Sequence, residues 1–133
     1  MSAQNPSDFS VFKPVGHIVA WFPPDADPDA AARELHEAGY GEDEVVRYSP
    51  AEMVERADKD LKSAGPLAFA GYEITLARIR RKFAEEGYGF LVVPAPDEDA
   101  IQRAMMILVR HGAKFAQHYG RIVIEELLKP EPA

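Results

Sequence analysis

The chain contains no cysteine, which excludes a disulfide framework, a thiolate zinc site and a thiol nucleophile. Its longest apolar runs, 90–95 and 104–109, fall far short of the ~20 residues that a membrane-spanning helix needs. The polar N-terminus lacks the basic and apolar regions of a secretory signal. These absences predict a soluble protein of a reducing compartment, with the cytoplasm as its location and no membrane partner.

Positive charge is also scarce, since 15 basic residues face 22 acidic ones and the formal net charge is −7. A negative surface repels phosphate backbones at long range, which disfavours nucleic acid as a partner. Hydrophobic residues make up 47% of the 133 positions, enough for one domain with a core of its own. We expect a single α/β domain at 16–128, between an N-terminal tail at 1–15 and a C-terminal tail at 129–133.

The first part of that domain has the pattern of a βαβ unit. Residues 17–22 are β-branched and aromatic, which predicts a strand closed by the two prolines that follow. Asp27 is a good helix N-cap, and Gly39 a good helix stop. A short second strand is expected at 44–48. The first unit therefore spans 17–48.

A second βαβ unit is expected at 88–119, and it repeats the order of the first. Its elements are a strand at 88–93, a helix from about 98 to 110 capped by Asp97 or Asp99, and a strand at 114–119. The segment from Trp21 to Asp27 resembles the segment from Val92 to Asp99. We interpret this similarity as an internal duplication.

Two helices are predicted between the units, in a helical connector at 50–86. Ser49 and Glu52 form a capping-box pattern at the start of the first helix. The second, from Pro66 to Glu86, carries apolar residues at helical spacing. A closing strand is expected at 121–128. Together these elements predict an α/β (α+β) fold with a ferredoxin-like sheet from two duplicated βαβ units and a two-helix segment between them. The two-helix segment is expected either to cover the other face of the sheet or to form a dimer contact.

The helix of the second unit favours self-association. Its run Ala104-Met105-Met106-Ile107-Leu108-Val109 is apolar on all sides, which exceeds what one packed face requires. Closed two-fold dimers are the commonest oligomers, so we expect a homodimer.

Stretches 19–48 and 87–112 resemble the bacterial general stress protein (heat-induced stress protein) domain family. The similar residues include Gly87-Tyr-Gly-Phe-Leu-Val-Val and Ala104-Met-Met-Ile-Leu-Val-Arg-His-Gly-Ala113. The resemblance covers about half of the chain, and the middle segment is helical and charged where the family is Gly-rich. It implies an association with stress but no defined reaction, so it supplies no catalytic residues.

Residues 86–93 are also similar to the aromatic strand of RNA-recognition motifs, in which exposed rings stack on bases. Glu86 stands where that strand has a basic residue, and Val93 where it has an aromatic one. An RNA-binding module using Tyr88 and Phe90 is therefore one alternative. A helix stop at Gly87 followed by a core strand is the other.

Neither metal nor cofactor chemistry is predicted. The spacing Asp25-x-Asp27-x-Asp29 opens a calcium loop, but the sixth and twelfth positions are Ala30 and His36 in place of Gly and Glu. Helix capping explains these acids better. The four histidines lack the close ligand spacing of a metal site. The basic cluster at 78–82 is interpreted as a solvated helix face.

We therefore expect a non-enzymatic binding protein of the stress or regulatory kind, acting on a small ligand or a protein partner. Histidine and ring residues on the predicted strands are the candidate ligand site: His17, Trp21, Tyr48, His118 and Tyr119. The alternative is a small enzyme that uses His and Tyr as acid and base on an open sheet face.

Overall fold

The computed structural model describes residues 14–64, 71–121 and 123–128. Its elements in chain order are β1 (His17–Phe22), α1 (Pro28–Glu37), β2 (Val46–Tyr48), α2 (Pro50–Ala64), α3 (Gly71–Glu85), β3 (Gly89–Pro94), α4 (Glu98–Arg110), β4 (Phe115–Tyr119) and β5 (Ile124–Leu128). The expected mixed α/β class is confirmed. Within these ranges, no helix has the length and apolar character needed to cross a membrane.

The five strands form one antiparallel sheet in the order β2-β3-β1-β4-β5. Within each βαβ unit the two strands run parallel, because both are antiparallel to the strand inserted between them. Strand β3 separates β1 from β2, and β1 separates β3 from β4. Trp21 at the centre of the sheet is thus opposite Phe90 on one side and Phe115 on the other.

The helices of the two units begin in the same way. The Asp27 side chain accepts a hydrogen bond from the backbone N–H of Ala30 at 3.1 Å, and that of Asp97 accepts one from Ala100 at 2.8 Å. Each aspartate satisfies a backbone donor that the first helical turn leaves without a partner. Capping therefore explains both acids, as their spacing predicts.

The capping box at the start of α2 is also confirmed. The backbone N–H of Glu52 donates to Ser49 Oγ at 3.1 Å, and the backbone N–H of Ser49 donates to Glu52 Oε1 at 2.8 Å. This reciprocal pair satisfies two backbone donors and sets the direction in which α2 leaves β2.

Among the described residues, α1, α3 and α4 are each followed by a glycine with positive φ, namely Gly39, Gly87 and Gly112. The residue after each glycine donates its backbone N–H five residues back, as Tyr88 does to Phe83 O at 3.1 Å. This is the Schellman arrangement, in which an apolar contact usually joins the same two residues. The rings of Tyr88 and Phe83 stack with centroids 4.9 Å apart. The helix stops predicted at these glycines are therefore present.

Helices cover both faces of the sheet. On one face α1 and α4 bury alternate strand residues such as Ile18 and Leu91. On the other face α2 and α3 cover an aromatic core that includes Trp21 and Phe90. The sequence left open whether α2 and α3 cover the other face of the sheet or form a dimer contact. In the structure they cover that face. The enzyme alternative requires an open sheet face, and this expectation is corrected for β1, β3 and β4, whose side chains are buried on both faces.

Several boundaries differ from those predicted. Helix α3 is described from Gly71 onward, and the predicted start at 66–70 lies outside the described residues, as do most of both tails. Strand β5 begins at Ile124 rather than at 121, and just before it Gly120 donates its N–H to Val123 O, which brings β5 back alongside β4. Strand β2 begins at Val46, after a turn in which Glu44 donates its N–H to Gly41 O.

Glu34 connects the helices on the first face. Its carboxylate accepts hydrogen bonds from Arg110 Nη2 at 2.5 Å and from His111 Nε2 at 2.7 Å, at the C-terminal end of α4. The hydrogen bonds from Arg110 and then His111 hold the pKa of this carboxyl below its ordinary value of 4.5. A carboxyl whose pKa falls on folding stabilises the fold above its unfolded pKa, and that stabilisation is lost as the pH drops through the folded pKa.

We therefore expect Glu34→Gln to lower the urea midpoint at pH 7 and to have a progressively smaller effect below pH 4.5. Urea titrations of both proteins between pH 7 and pH 3 measure this difference. Glu37→Gln is the matched control on α1, because Glu37 makes no ion pair with the described residues. An equal loss for Glu34→Gln at pH 7 and pH 3 would contradict the expectation.

Candidate functional site

Three of the five residues proposed as a site lie together inside the aromatic core between the sheet and the helices α2 and α3. Trp21, Tyr48 and Tyr119 are all buried beneath α2 and α3. His17 shares the strand phase of Trp21 but lies at the partly exposed start of β1, where its Nδ1 donates to Val15 O at 2.9 Å. The buried rings therefore contribute to packing and do not line an open surface.

His118 lies on the opposite face of the sheet from Tyr119. Successive strand side chains alternate in direction, so two adjacent residues of β4 cannot share a face. Tyr119 belongs to the aromatic core under α3, whereas the His118 ring donates from Nε2 to Ala95 O at 2.8 Å. The five predicted residues are therefore not brought into one site.

A hydrogen-bonded chain runs from the core to the surface through residues that the sequence reasoning missed. Trp21 Nε1 donates to Gln117 Oε1 at 2.8 Å, and Gln117 Nε2 donates to Glu126 Oε1 at 3.2 Å. The Tyr72 hydroxyl donates to the other oxygen of Glu126. Burial and this carboxylate both raise the pKa of Tyr72 above its ordinary value, so the phenol stays protonated. The chain links the first turn of α3 to β4 and β5.

A buried charge cluster lies beside that chain, formed by Arg56, Asp60, Arg80 and Tyr119. Asp60 is 0% exposed and Arg80 is 1% exposed. The Asp60 carboxylate binds Arg56 Nη2 at 3.0 Å and Arg80 Nη2 at 2.9 Å, and Arg80 Nη1 donates to the Tyr119 hydroxyl at 3.4 Å. Buried charges persist only where such partners offset their loss of hydration. The cluster thus fixes α2 against α3, and α3 against β4.

The basic run at 78–82 is divided between surface and interior. Arg78 and Lys82 are exposed, as expected for a solvated face, and Arg81 pairs with Asp58 at 2.5 Å. Arg80 departs from this interpretation because it belongs to the buried charge cluster.

The two rings of the RNA-binding alternative lie beneath α3. Phe90 is fully buried, and Tyr88 stacks on Phe83 at 4.9 Å. Burial, together with the charges of Glu86 and Asp25, raises the pKa of the Tyr88 phenol. Bases need exposed ring faces for stacking, and these two rings present none.

All four histidine rings contact oxygen atoms of the protein. His36 Nδ1 donates to Tyr40 O at 3.0 Å and His111 Nε2 binds Glu34, in addition to the contacts of His17 and His118. Across residues 14–64, 71–121 and 123–128, no group of three His, Asp or Glu side chains is placed to hold a metal ion.

A pocket of about 350 Å³ opens between the C-terminal end of α1 and the first turns of α4, and we call it the α1–α4 pocket. Its lining residues are Ala38, Gly39, Tyr40, Glu44, Pro94, Pro96, Asp97, Ala100 and Arg103. The alanines and prolines provide an apolar surface, and the other side chains provide a phenol, two carboxylates and a guanidinium. This combination of an apolar surface and a few polar groups is typical of small-ligand sites.

The polar groups of the pocket are held by local contacts. Glu44 Oε1 accepts the backbone N–H of Gly41 at 2.6 Å, which closes the loop after α1. His36 holds the backbone of Tyr40 from the helix side. Burial raises the pKa of the Tyr40 phenol, the Arg103 charge lowers it and the Glu44 charge raises it. The phenol therefore has a positive and a negative side chain in its surroundings.

Comparison of the chain with protein-family models, with curated proteins and with solved structures found no match.

Proposed function

We propose that this protein is a non-enzymatic binding protein of the stress or regulatory kind, and that its small-ligand site is the α1–α4 pocket. The observation that carries the proposal is the pocket itself, whose lining combines Arg103, Tyr40 and Glu44 with apolar alanine and proline side chains. Its volume of about 350 Å³ lies at the small end of the range of ligand pockets, roughly 300–1,000 Å³. A small metabolite fits such a volume.

The ligand site thus moves from the sheet face to the α1–α4 pocket. Acid–base catalysis by the predicted His and Tyr residues would need them within hydrogen-bond reach of one substrate. The burial of Tyr119 under α3 and the position of His118 on the other face weigh against that arrangement. An RNA-binding role has less support still, because Tyr88 and Phe90 are buried and the net charge is −7.

We also propose that the first four strands derive from a ferredoxin-like duplication, with β5 as an addition. The matched N-caps Asp27 and Asp97 support this view, as do the matched stops Gly39 and Gly112. The strand order interleaves the two units, as a split βαβ arrangement does.

The proposed assembly is a homodimer through the outer face of α4. Met106 is 66% exposed and Val109 50% exposed, so the apolar run that favours association does leave two side chains in solvent. A stress role and a bacterial source follow from the family resemblance alone. We propose a cytoplasmic location, because a cysteine-free chain suits a reducing compartment.

Native mass spectrometry of the purified full chain tests this proposal. We expect a dimer that carries a reproducible added mass, which denaturation releases. Arg103→Ala should lose the added mass because it removes the guanidinium of the pocket. Arg33→Ala, an exposed arginine of α1 outside the pocket, should keep it.

Two results would contradict the proposal. One is a wild-type protein that shows no added mass and gains no thermal stability from a library of small polar metabolites. The other is an added mass that Arg103→Ala and Arg33→Ala retain equally. A monomer with a bound ligand would reject the dimer and leave the ligand site standing.

A further inference from the structure

The charges around the α1–α4 pocket are mixed. Arg103 supplies a positive charge from the second turn of α4, while Glu44 and Asp97 supply negative charges from the loop after α1 and the start of α4. Tyr40 is close enough to Arg103 and to Glu44 for both charges to act on its phenol. A ligand in this pocket therefore meets both signs of charge within a short distance.

A simple anion does not suit these charges. Phosphate-binding sites combine several donors with a positive helix end. Here the first turn of α4 carries Glu98 and Asp99, and the Asp97 carboxylate already accepts the Ala100 N–H. These carboxylates would repel a phosphate at the distances of a pocket.

A simple cation does not suit them either. Arg103 would repel it, and this guanidinium makes no ion pair with the described residues. A guanidinium presents a planar fork of donors that matches a carboxylate. The complementary ligand is thus one with a carboxylate for Arg103 and a cationic group for the acidic side.

The remaining surface of the pocket is apolar and small. Ala38, Ala100, Pro94 and Pro96 offer contact for a short aliphatic group, and about 350 Å³ suits a small molecule. A carboxylate, an ammonium group and a short apolar group together describe a free α-amino acid.

We infer that the α1–α4 pocket binds a small zwitterion of the amino-acid class, with its carboxylate on Arg103 and its ammonium group facing Glu44 and Asp97. This inference rests on the proposed function of the same pocket and adds the chemical class of the ligand. Tyr40 then lies beside both charged groups of the ligand.

Isothermal titration calorimetry with each standard free amino acid, against the full-length protein, tests the inference. We expect at least one amino acid with an aliphatic side chain to bind. Its N-acetyl derivative and its C-terminal amide should each bind at least about tenfold more weakly, because each loses one charge-assisted contact.

Charge-changing variants then locate the site. Arg103→Gln should weaken binding by about tenfold or more, and Arg103→Lys by less, because it retains the charge without the planar fork. Glu44→Gln removes a negative charge but keeps an acceptor for the Gly41 N–H, so the loop stays closed while binding weakens. Arg33→Gln is the control outside the pocket. Circular dichroism and thermal unfolding confirm that each variant is folded.

The outcomes separate this inference from the proposed function. Binding of simple carboxylates or of amides as tightly as of the free amino acid would overturn the zwitterion and leave a ligand pocket. Amino-acid binding that is unaffected in Arg103→Gln and Glu44→Gln would overturn the assignment to this pocket. If calorimetry shows no amino acid binding but native mass spectrometry still shows an added mass that Arg103→Ala loses, the ligand class is wrong and the pocket remains a ligand site. If neither amino-acid binding nor an added mass is found, both proposals are wrong.

Discussion

Replacement of Asp60 by Ala is expected to lower the free energy of unfolding by about 3–5 kcal/mol, the usual cost of removing one partner from a buried ion pair. The carboxylate lies between Arg56 and Arg80 at 3.0 and 2.9 Å. Without it, two guanidinium groups stay in the interior and lose their shared counter-charge. Urea denaturation followed by circular dichroism measures the loss.

Asp58→Ala provides the matched control, two residues earlier on α2. Asp58 pairs with Arg81 at 2.5 Å, but its side chain is 52% exposed. An exposed pair contributes about 0–1 kcal/mol because water and salt screen it. The prediction for Asp60 would be wrong if both variants lost the same small amount of stability.

Replacement of Trp21 by Ala should cost about 3–5 kcal/mol, as truncations of fully buried large aromatic residues do. The indole is 0% exposed, and its ring meets those of Phe83 and Phe115 edge-on at centroid distances of 5.6 Å. Its N–H also donates to Gln117. Chemical denaturation of the variant measures the sum of the lost packing and the lost hydrogen bond.

A double-mutant cycle separates these two contributions. Trp21→Phe keeps an aromatic ring but leaves the Gln117 oxygen without its donor, and Gln117→Leu leaves the indole N–H without its acceptor. Each change should cost about 1–3 kcal/mol, whereas the double variant should cost clearly less than the sum of the two. Additivity within about 0.5 kcal/mol would mean that the 2.8 Å contact contributes nothing.

Local chemistry explains why much of the fold could be predicted from the sequence. The caps Asp27 and Ser49 and the stop glycines act through contacts a few residues away, so their effect is visible in a short window. The strand at 17–22 could be recognised because its β-branched and aromatic residues and the two prolines after it also lie within a short window. β2 and β5 are shorter than predicted, because a turn at 41–44 precedes β2 and the chain reverses direction between Gly120 and Val123 before β5.

The predicted site failed for a reason that strand geometry supplies. His118 and Tyr119 are neighbours in β4 and must point to opposite faces, so one site on one face could not use both. The burial of Arg80 and Gln117 could have been inferred from their positions in the apolar patterns of their elements. Arg80 lies four residues after Leu76, within the buried stripe of α3, and Gln117 alternates with Phe115 and Tyr119 on the covered face of β4.

The α1–α4 pocket could not be predicted from either unit alone. Tyr40 and Glu44 follow α1 in the first unit, whereas Asp97 and Arg103 belong to α4 in the second. These residues are more than 50 positions apart in the chain, and the interleaved sheet brings them together. Sequence periodicity describes one helix or strand at a time and does not show which distant residues lie close together in the folded chain.

The interleaved strands also bear on how the chain acquires its structure during synthesis. β1 pairs with β3 and β4, and β2 pairs with β3, so both strands of the first unit find their sheet partners in the second. A nascent chain that has emerged only as far as α2 has its first two strands but neither neighbour of β1. Its apolar strand residues must wait for the rest of the polypeptide, because pairing across long sequence separations comes late. Translation of the second unit thus sets the earliest moment at which the sheet can form, and until then the backbone of β1 has neither of its sheet neighbours.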